Sequence, residues 1–124
     1  MPSRVEVANK LSVIFKLIAH PDRIRIIEEL YSGERDVGTL ASRLELKNPR
    51  VSQHLHEMKL HGIVSERREG RYHHYSLVTP SLATWIVDAT QFVESSSLTL
   101  EPAQIDAARK LWMSSDTNQD EQPA

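Results

Sequence analysis

Cysteine is absent from this chain. Its absence excludes disulfides, thiolate metal ligands and thiol redox chemistry together. Long apolar runs are missing too. No stretch approaches the roughly 18 to 20 apolar residues of a membrane span, and the N-terminus has no apolar signal-peptide core. A cytoplasmic protein with no membrane association is therefore expected. Glycine is scarce, with four residues in all, and no glycine-rich phosphate loop, nucleophile motif or triad spacing occurs. Enzymatic chemistry is not expected, nor is a cofactor.

What is present fits one soluble domain. The 124 residues are 40% hydrophobic and 26% charged, enough for a modest core. The net charge of −2 hides an uneven distribution. Residues 1–46 balance, residues 47–74 carry six basic against three acidic side chains, and residues 75–124 carry two against seven. The cationic middle also holds five of the six histidines. A basic patch in an acidic protein points toward phosphate.

Apolar spacing predicts a first helix over 6–19 (Val7, Leu11, Ile14, Ile18), with Phe15 and Leu17 greasy on further faces. Such a helix needs two partners, its own core and something else. Pro21 starts a second helix carrying Ile24, Ile27 and Leu30, which ends near Gly33. Asp36 caps a short third helix with Leu40, Ala41 and Leu44. Asn48 followed by Pro49 reads as cap and first residue of a fourth.

That fourth helix contains HLHEMKLH, residues 54–61, whose imidazoles suggest a metal site. Helical geometry argues otherwise. His54 and His56 point about 200° apart, and His54 and His61 are separated by two turns, about 10 Å. Only Glu57 and His61 are spaced as ligands, and two ligands do not make a zinc site. Val51, Leu55, Met58 and Gly62 define the core face, bordered by His54. Pro49, Gln53, His56 and Leu60 define the opposite one, flanked by Ser52, Arg50 and Glu57.

Beyond Gly62 the period becomes two. Residues 63–68 and 71–78 read as a hairpin around Glu69-Gly70, with arginines on both sides of its tip. Pro80 opens a helix with a stripe of Leu82, Trp85, Ile86, Ala89, Phe92 and Val93. Ser95 to Ser97 interrupt the chain, and Pro102 starts a last helix with Ile105, Ala108, Leu111 and Trp112. No internal repeat is present.

Two short helices joined by a tight link, then a basic hairpin, is the order of a winged helix-turn-helix, mainly α with a small β-hairpin. The major groove admits one helix, and a hairpin beside it reaches the backbone. Asn48, Ser52, Gln53 and His56 are the candidate groove-facing residues, with Gln53 suited to adenine and Arg50 to phosphate or guanine. His54 borders them as a packing and hydrogen-bonding residue within reach of a phosphate, and counts among the candidate DNA-binding residues, while Arg67, Arg68, Arg71 and His73 belong to the wing beside the backbone. Double-stranded DNA is the expected partner. His73 and His74, adjacent on a strand, point to opposite faces.

The segments VSQHLHEMKLHGIV and RREGRYHHYSL, with IAHPDRIRII upstream, resemble the ArsR/SmtB family of bacterial transcriptional repressors from about Leu11 to Phe92. The resemblance implies a homodimer joined by its first and last core helices, reading an inverted-repeat operator. Leu11, Phe15, Leu82, Trp85, Ile86, Ala89 and Phe92 are the expected interface. The expected division is a DNA-binding and dimerisation domain over 1–97, a C-terminal helix over 98–113 packing on the domain or on the dimer interface, and, from its lack of apolar residues, a disordered acidic tail over 114–124.

Members of that family often sense metals, and the positions concerned are altered here. The stretch ERDVGTL, residues 34–40, has Asp36 and Gly38 where the family's thiolates stand, and the dimer-helix site falls on Thr79, Ser81, Phe92 and Ser95. None of these is a retained ligand set. The expectation is a metal-independent repressor released by a small-molecule or protein effector, or acting constitutively. Two alternatives stay open: a zinc or nickel sensor built from His20, His73, His74, Asp22, Glu34 and Asp36, and a protein-interaction module with no role on DNA.

Overall fold

The computed structural model describes residues 3–96 and 101–114. Helix α1 (Arg4–Ile18) starts on a capping box, in which Glu6 N–H donates to Ser3 Oγ and Ser3 N–H to the Glu6 carboxylate. It begins two residues before the predicted span, and the Ser-x-x-Glu pattern at 3–6 was the available signal. Helix α2 (Pro21–Leu30) follows a single extended residue, His20. A two-residue strand β1 (Arg35–Asp36) precedes α3 (Val37–Leu44), which Asp36 caps by accepting Thr39 N–H.

Both helices of the central pair end alike. After α3, Leu46 N–H bonds Ala41 O and Glu45 N–H bonds Ser42 O, with Glu45 left-handed at φ 57°. After α4 (Asn48–Leu60), Ile63 N–H bonds Met58 O and Gly62 N–H bonds Lys59 O, with Gly62 at φ 74°. These paired bonds satisfy the last carbonyls and turn the chain sharply. A side chain at Glu45 carries a cost of roughly 1 kcal/mol that glycine avoids at 62. The α4 start needs one correction. Asn48 is the first helical residue, because Lys47 O already accepts Arg50 and Val51 N–H, and no side chain caps this end.

Strands β2 (Val64–Glu69) and β3 (Tyr72–Leu77) form the hairpin, closed by Gly70-Arg71 with Gly70 at φ 60°. The antiparallel sheet has the order β1-β3-β2, with Arg35 opposite Tyr75 and Glu66 opposite Tyr75 on the other side. Helices α5 (Ser81–Glu94) and α6 (Pro102–Ser114) complete the chain, and α6 packs on α5. The proposed boundary after residue 97 and the 115–124 part of the proposed tail lie outside the described residues.

One core joins these elements: Ile26, Ile27 and Leu30 of α2, Leu40 and Leu44 of α3, Val51, Leu55 and Met58 of α4, Val64, Tyr75 and Leu77 of the sheet, and Ala83 and Ile86 of α5. Each large aliphatic side chain so buried contributes about 1.5 to 3 kcal/mol. The α4 triad fixes that helix in rotation, and so determines which residues face out. Among the described residues no helix is long and apolar enough to cross a membrane.

Candidate nucleic-acid interface

With Val51, Leu55 and Met58 fully buried, the other side of α4 is open. Asn48, Arg50, Ser52, Gln53 and His56 are all exposed, as is Leu60. This is the face read from the helical period. His54, two residues from His56, turns inward and is only 8% exposed. The four-residue spacing of Glu57 and His61 yields only a ring nitrogen bonded to the Glu57 carbonyl, 3.0 Å away.

Inside, His54 joins a polar network that local sequence pattern does not reveal. Arg23 Nε donates to His54 Nδ1 at 3.0 Å, and Arg23 Nη1 donates to the Leu17 carbonyl at 2.8 Å. His54 Nε2 lies 3.5 Å from Asp22 Oδ2, which accepts Arg50 Nε at 2.7 Å. His20, with its ring centroid 4.6 Å from that of His54, accepts the Asp22 N–H on Nδ1 and so caps α2. Burial works to raise the Asp22 pKa, but the Arg50 charge and hydrogen bond outweigh it and hold the carboxyl below its ordinary range. Burial, with the neighbouring His20 and Arg23 charges, lowers the His54 pKa and favours the neutral ring.

His20, Asp22 and His54 offer ligand atoms within 4.8 Å of one another, the one such grouping among the described residues. Their hydrogen bonds do not suit a cation. A ligating histidine donates its second N–H to an acceptor. Here the second nitrogen of each ring faces a donor, Arg23 Nε–H for His54 and the Asp22 N–H for His20, and Asp22 is held by Arg50. The other residues weighed as ligands lie elsewhere: His73 beside Glu66, His74 beside Glu34, and Asp36 at the α3 cap.

The wing divides its charges between its two faces, as strand alternation requires. On one, Glu66 is a hub. It accepts from Lys59 Nζ at 2.9 Å, from Tyr75 Oη at 2.8 Å, and lies 2.7 Å from His73 Nδ1. The Lys59 hydrogen bond, followed by those of Tyr75 and His73, brings Glu66 down to about 2, while burial and Glu66 push Tyr75 to about 12. On the other face Arg67 is fully engaged, with Nη2 2.6 Å from Glu34 and Nη1 2.6 Å from Glu69, and the same arginine lowers both carboxyl pKa values. Arg68 makes no ion pair among the described residues, and Arg71 lies over the Tyr72 ring, 5.8 Å from its centroid.

A second, contrasting surface lies on α1 and α5. Leu11, Phe15, Trp85 and Phe92 are 47%, 45%, 44% and 64% exposed, although Ile86 is buried and Leu82 and Ala89 half-buried. Phe15 and Trp85 stack at 5.5 Å, beside a cavity of about 240 Å³ lined by Ile18, Ile24 and Ala89. Monomers seldom leave so contiguous an apolar face to water.

A polar-faced helix held by a tight turn, with a basic-tipped hairpin at its side, defines a winged helix-turn-helix DNA-reading module. A family model described as "Bacterial regulatory protein, arsR family" matches residues 20–66. The biofilm growth-associated repressor of Agrobacterium fabrum is 33% identical over 86 residues, covering 69% of this chain and 74% of that protein. An HTH-type transcriptional regulator of Mycobacterium tuberculosis is 41% identical over 70 residues, 56% of this chain and 61% of that one. Among solved structures, a homodimeric winged helix-turn-helix DNA-binding domain from Mycobacterium bovis superposes with a TM-score of 0.64 at 25% identity, covering 80% of this chain and 97% of that one. The chain belongs to the arsR family of bacterial regulatory proteins and is a DNA-binding transcriptional regulator, not an enzyme.

Proposed function

We propose that the protein is a cytoplasmic, homodimeric repressor that reads an inverted repeat. Two copies of α4 enter successive major grooves about 10 base pairs apart, and the wings straddle the backbone. Gln53, Ser52 and His56 address base edges; Arg50, Arg68 and Arg71 address phosphates, with Asn48 at the helix entry. His54 acts indirectly, by packing. Arg67 and His73 shape the wing, since their carboxylate partners already hold them. The copies meet through α1 and α5. The observation that carries this reading is the pairing of an exposed polar α4 face with a bare apolar α1/α5 face on one small domain.

The hydrogen-bonding of the His20, Asp22 and His54 group favours metal independence, so the signal is an organic ligand or a protein, or repression is constitutive. The experiment is selection of bound genomic fragments by the purified chain, then titration of operator affinity with zinc, nickel, cobalt and chelator. Recovery of one enriched palindrome, with affinity unmoved by metal, is expected. A tenfold loss with stoichiometric metal, about 1.4 kcal/mol of coupling, overturns metal independence. Uniform recovery of unrelated sequences overturns the operator.

A further inference from the structure

Asp22 is a buried carboxylate at the start of α2, on the side of the domain read above as facing DNA. A fixed anion there opposes a polyanion unless it improves something beside it. The neighbour is Arg50. Its Nε donates to Asp22 Oδ2 at 2.7 Å, yet its side chain stays 57% exposed. Both terminal amino groups are left without an intramolecular partner among the described residues, so the guanidinium is aimed but not consumed. Arg67 differs: its Nε, Nη1 and Nη2 are all taken by carboxylates.

Arg50 lines an open cavity of about 500 Å³ together with His20, Lys47, Pro49, Gln53 and His54. The lining is rich in donors. Lys47 is a second cation, and His20, whose Nδ1 accepts a backbone N–H, carries its proton on Nε2. Asp22 sits in the first turn of α2, its N–H bonded to His20 Nδ1 and its carboxylate beside His54 Nε2, and Arg23 ties His54 to the end of α1. The carboxylate is therefore a rigid support for a long, otherwise mobile side chain. Ordering that side chain before binding removes an entropy cost from the complex.

We infer that this cavity is the seat of a DNA backbone phosphate, gripped by the two free amino groups of Arg50, and that Asp22 is a positioning residue acting through Arg50. The inference rests on the reading of α4 as the DNA-facing helix. It makes an uncommon prediction of sign. Asp22→Asn removes one negative charge near the duplex, and charge alone then predicts tighter binding; loss of the support predicts weaker binding.

The test uses the full chain and a fluorescent mixed-sequence duplex, with affinity read over a salt series for four proteins: unmodified, Arg50→Ala, Asp22→Asn and the double variant. Arg50→Ala is expected to weaken binding about tenfold and to reduce the salt slope by about one. Asp22→Asn is expected to weaken it at least about threefold with the same direction of slope change. In the Arg50→Ala background it should cause no further loss, because the cycle isolates what the pair shares. Light scattering and thermal unfolding establish that each variant is a folded dimer. If Arg50→Ala binds as the unmodified chain does, the DNA-facing reading of Arg50 fails. If Arg50→Ala is weakened while Asp22→Asn binds equally or more tightly, the positioning role fails and the reading of α4 survives. Equal losses from Asp22→Asn in both backgrounds place its effect in the fold, and also overturn the positioning role.

Discussion

The two working faces of this domain are built on opposite plans. Around α4 and the wing, polar groups are tied to partners before any duplex arrives: Arg23 to His54, Asp22 to Arg50, Glu66 to Lys59, Tyr75 and His73, Arg67 to Glu34 and Glu69. On α1 and α5, apolar side chains lie open, with Phe15 stacked on Trp85 between them. The first face is preorganised. The second, in the dimer proposed above, is the one that another copy covers. Groove reading demands fixed donors, while dimerisation draws on removal of apolar area from water, so the contrast follows from the forces each task uses.

The strongest way to break this contrast is to charge the unfinished face. Trp85→Glu places a carboxylate where a partner's apolar side chains would close, and desolvating it costs several kcal/mol. Light scattering at micromolar concentration should report a monomer, while the core and the α4 network remain. Duplex affinity should fall by about a hundredfold, because a monomer loses the linked second half-site. A dimer that persists in this variant would show that the copies meet elsewhere.

The wing arginines sharpen the comparison at a smaller scale. Arg71 has only an aromatic ring beside it, whereas Arg67 is saturated by two carboxylates. Arg71→Ala should weaken specific and random duplexes alike, by about three- to tenfold, and flatten the salt dependence by about one unit. Arg67→Ala should cost less affinity and act mainly on hairpin stability. Equal losses in a salt titration would mean that pairing in the free protein does not decide which arginines are available to phosphate.

Much of the architecture was legible in the sequence for identifiable reasons. The 3.6-residue period placed Val51, Leu55 and Met58 inside and Gln53 and His56 outside; Gly62, Gly70 and Pro80 marked ends and turns; strand alternation sent His73 and His74 to opposite faces. Three features lay beyond local pattern. Strand β1 is two residues long, and its pairing with β3 spans about forty positions. The pairing of Arg67 was not visible locally because Glu34, its partner, is 33 residues away. The network of Arg23, Asp22, His54 and Arg50 joins two helices across 28 and 31 residues. Local reading sees charge; it does not see which charge is already spent.

The smallest expected effect lies on α2, between the two faces. Burial, helped by the adjacent Glu29 charge, raises Glu28 to about 7, against a hydrogen bond from Trp112 of α6 that favours the charged form. A carboxyl raised in the folded state gives stability that is complete below the ordinary value of about 4.5 and is lost as pH climbs through 7. The chain should therefore unfold at a lower temperature at pH 8 than at pH 6, with Glu66 acting oppositely only at acid pH, since its own carboxyl is held near 2. Glu28→Gln keeps a neutral side chain at every pH. Because Glu28 is only partly buried, screening reduces the effect to about 1 kcal/mol, a shift of a few degrees. Calorimetry between pH 5 and 8 should find the variant more stable than the unmodified chain at pH 8 and indistinguishable from it at pH 5. A variant less stable at pH 8 would show instead that charged Glu28 holds α6 through Trp112, making that hydrogen bond stronger than the burial opposing it.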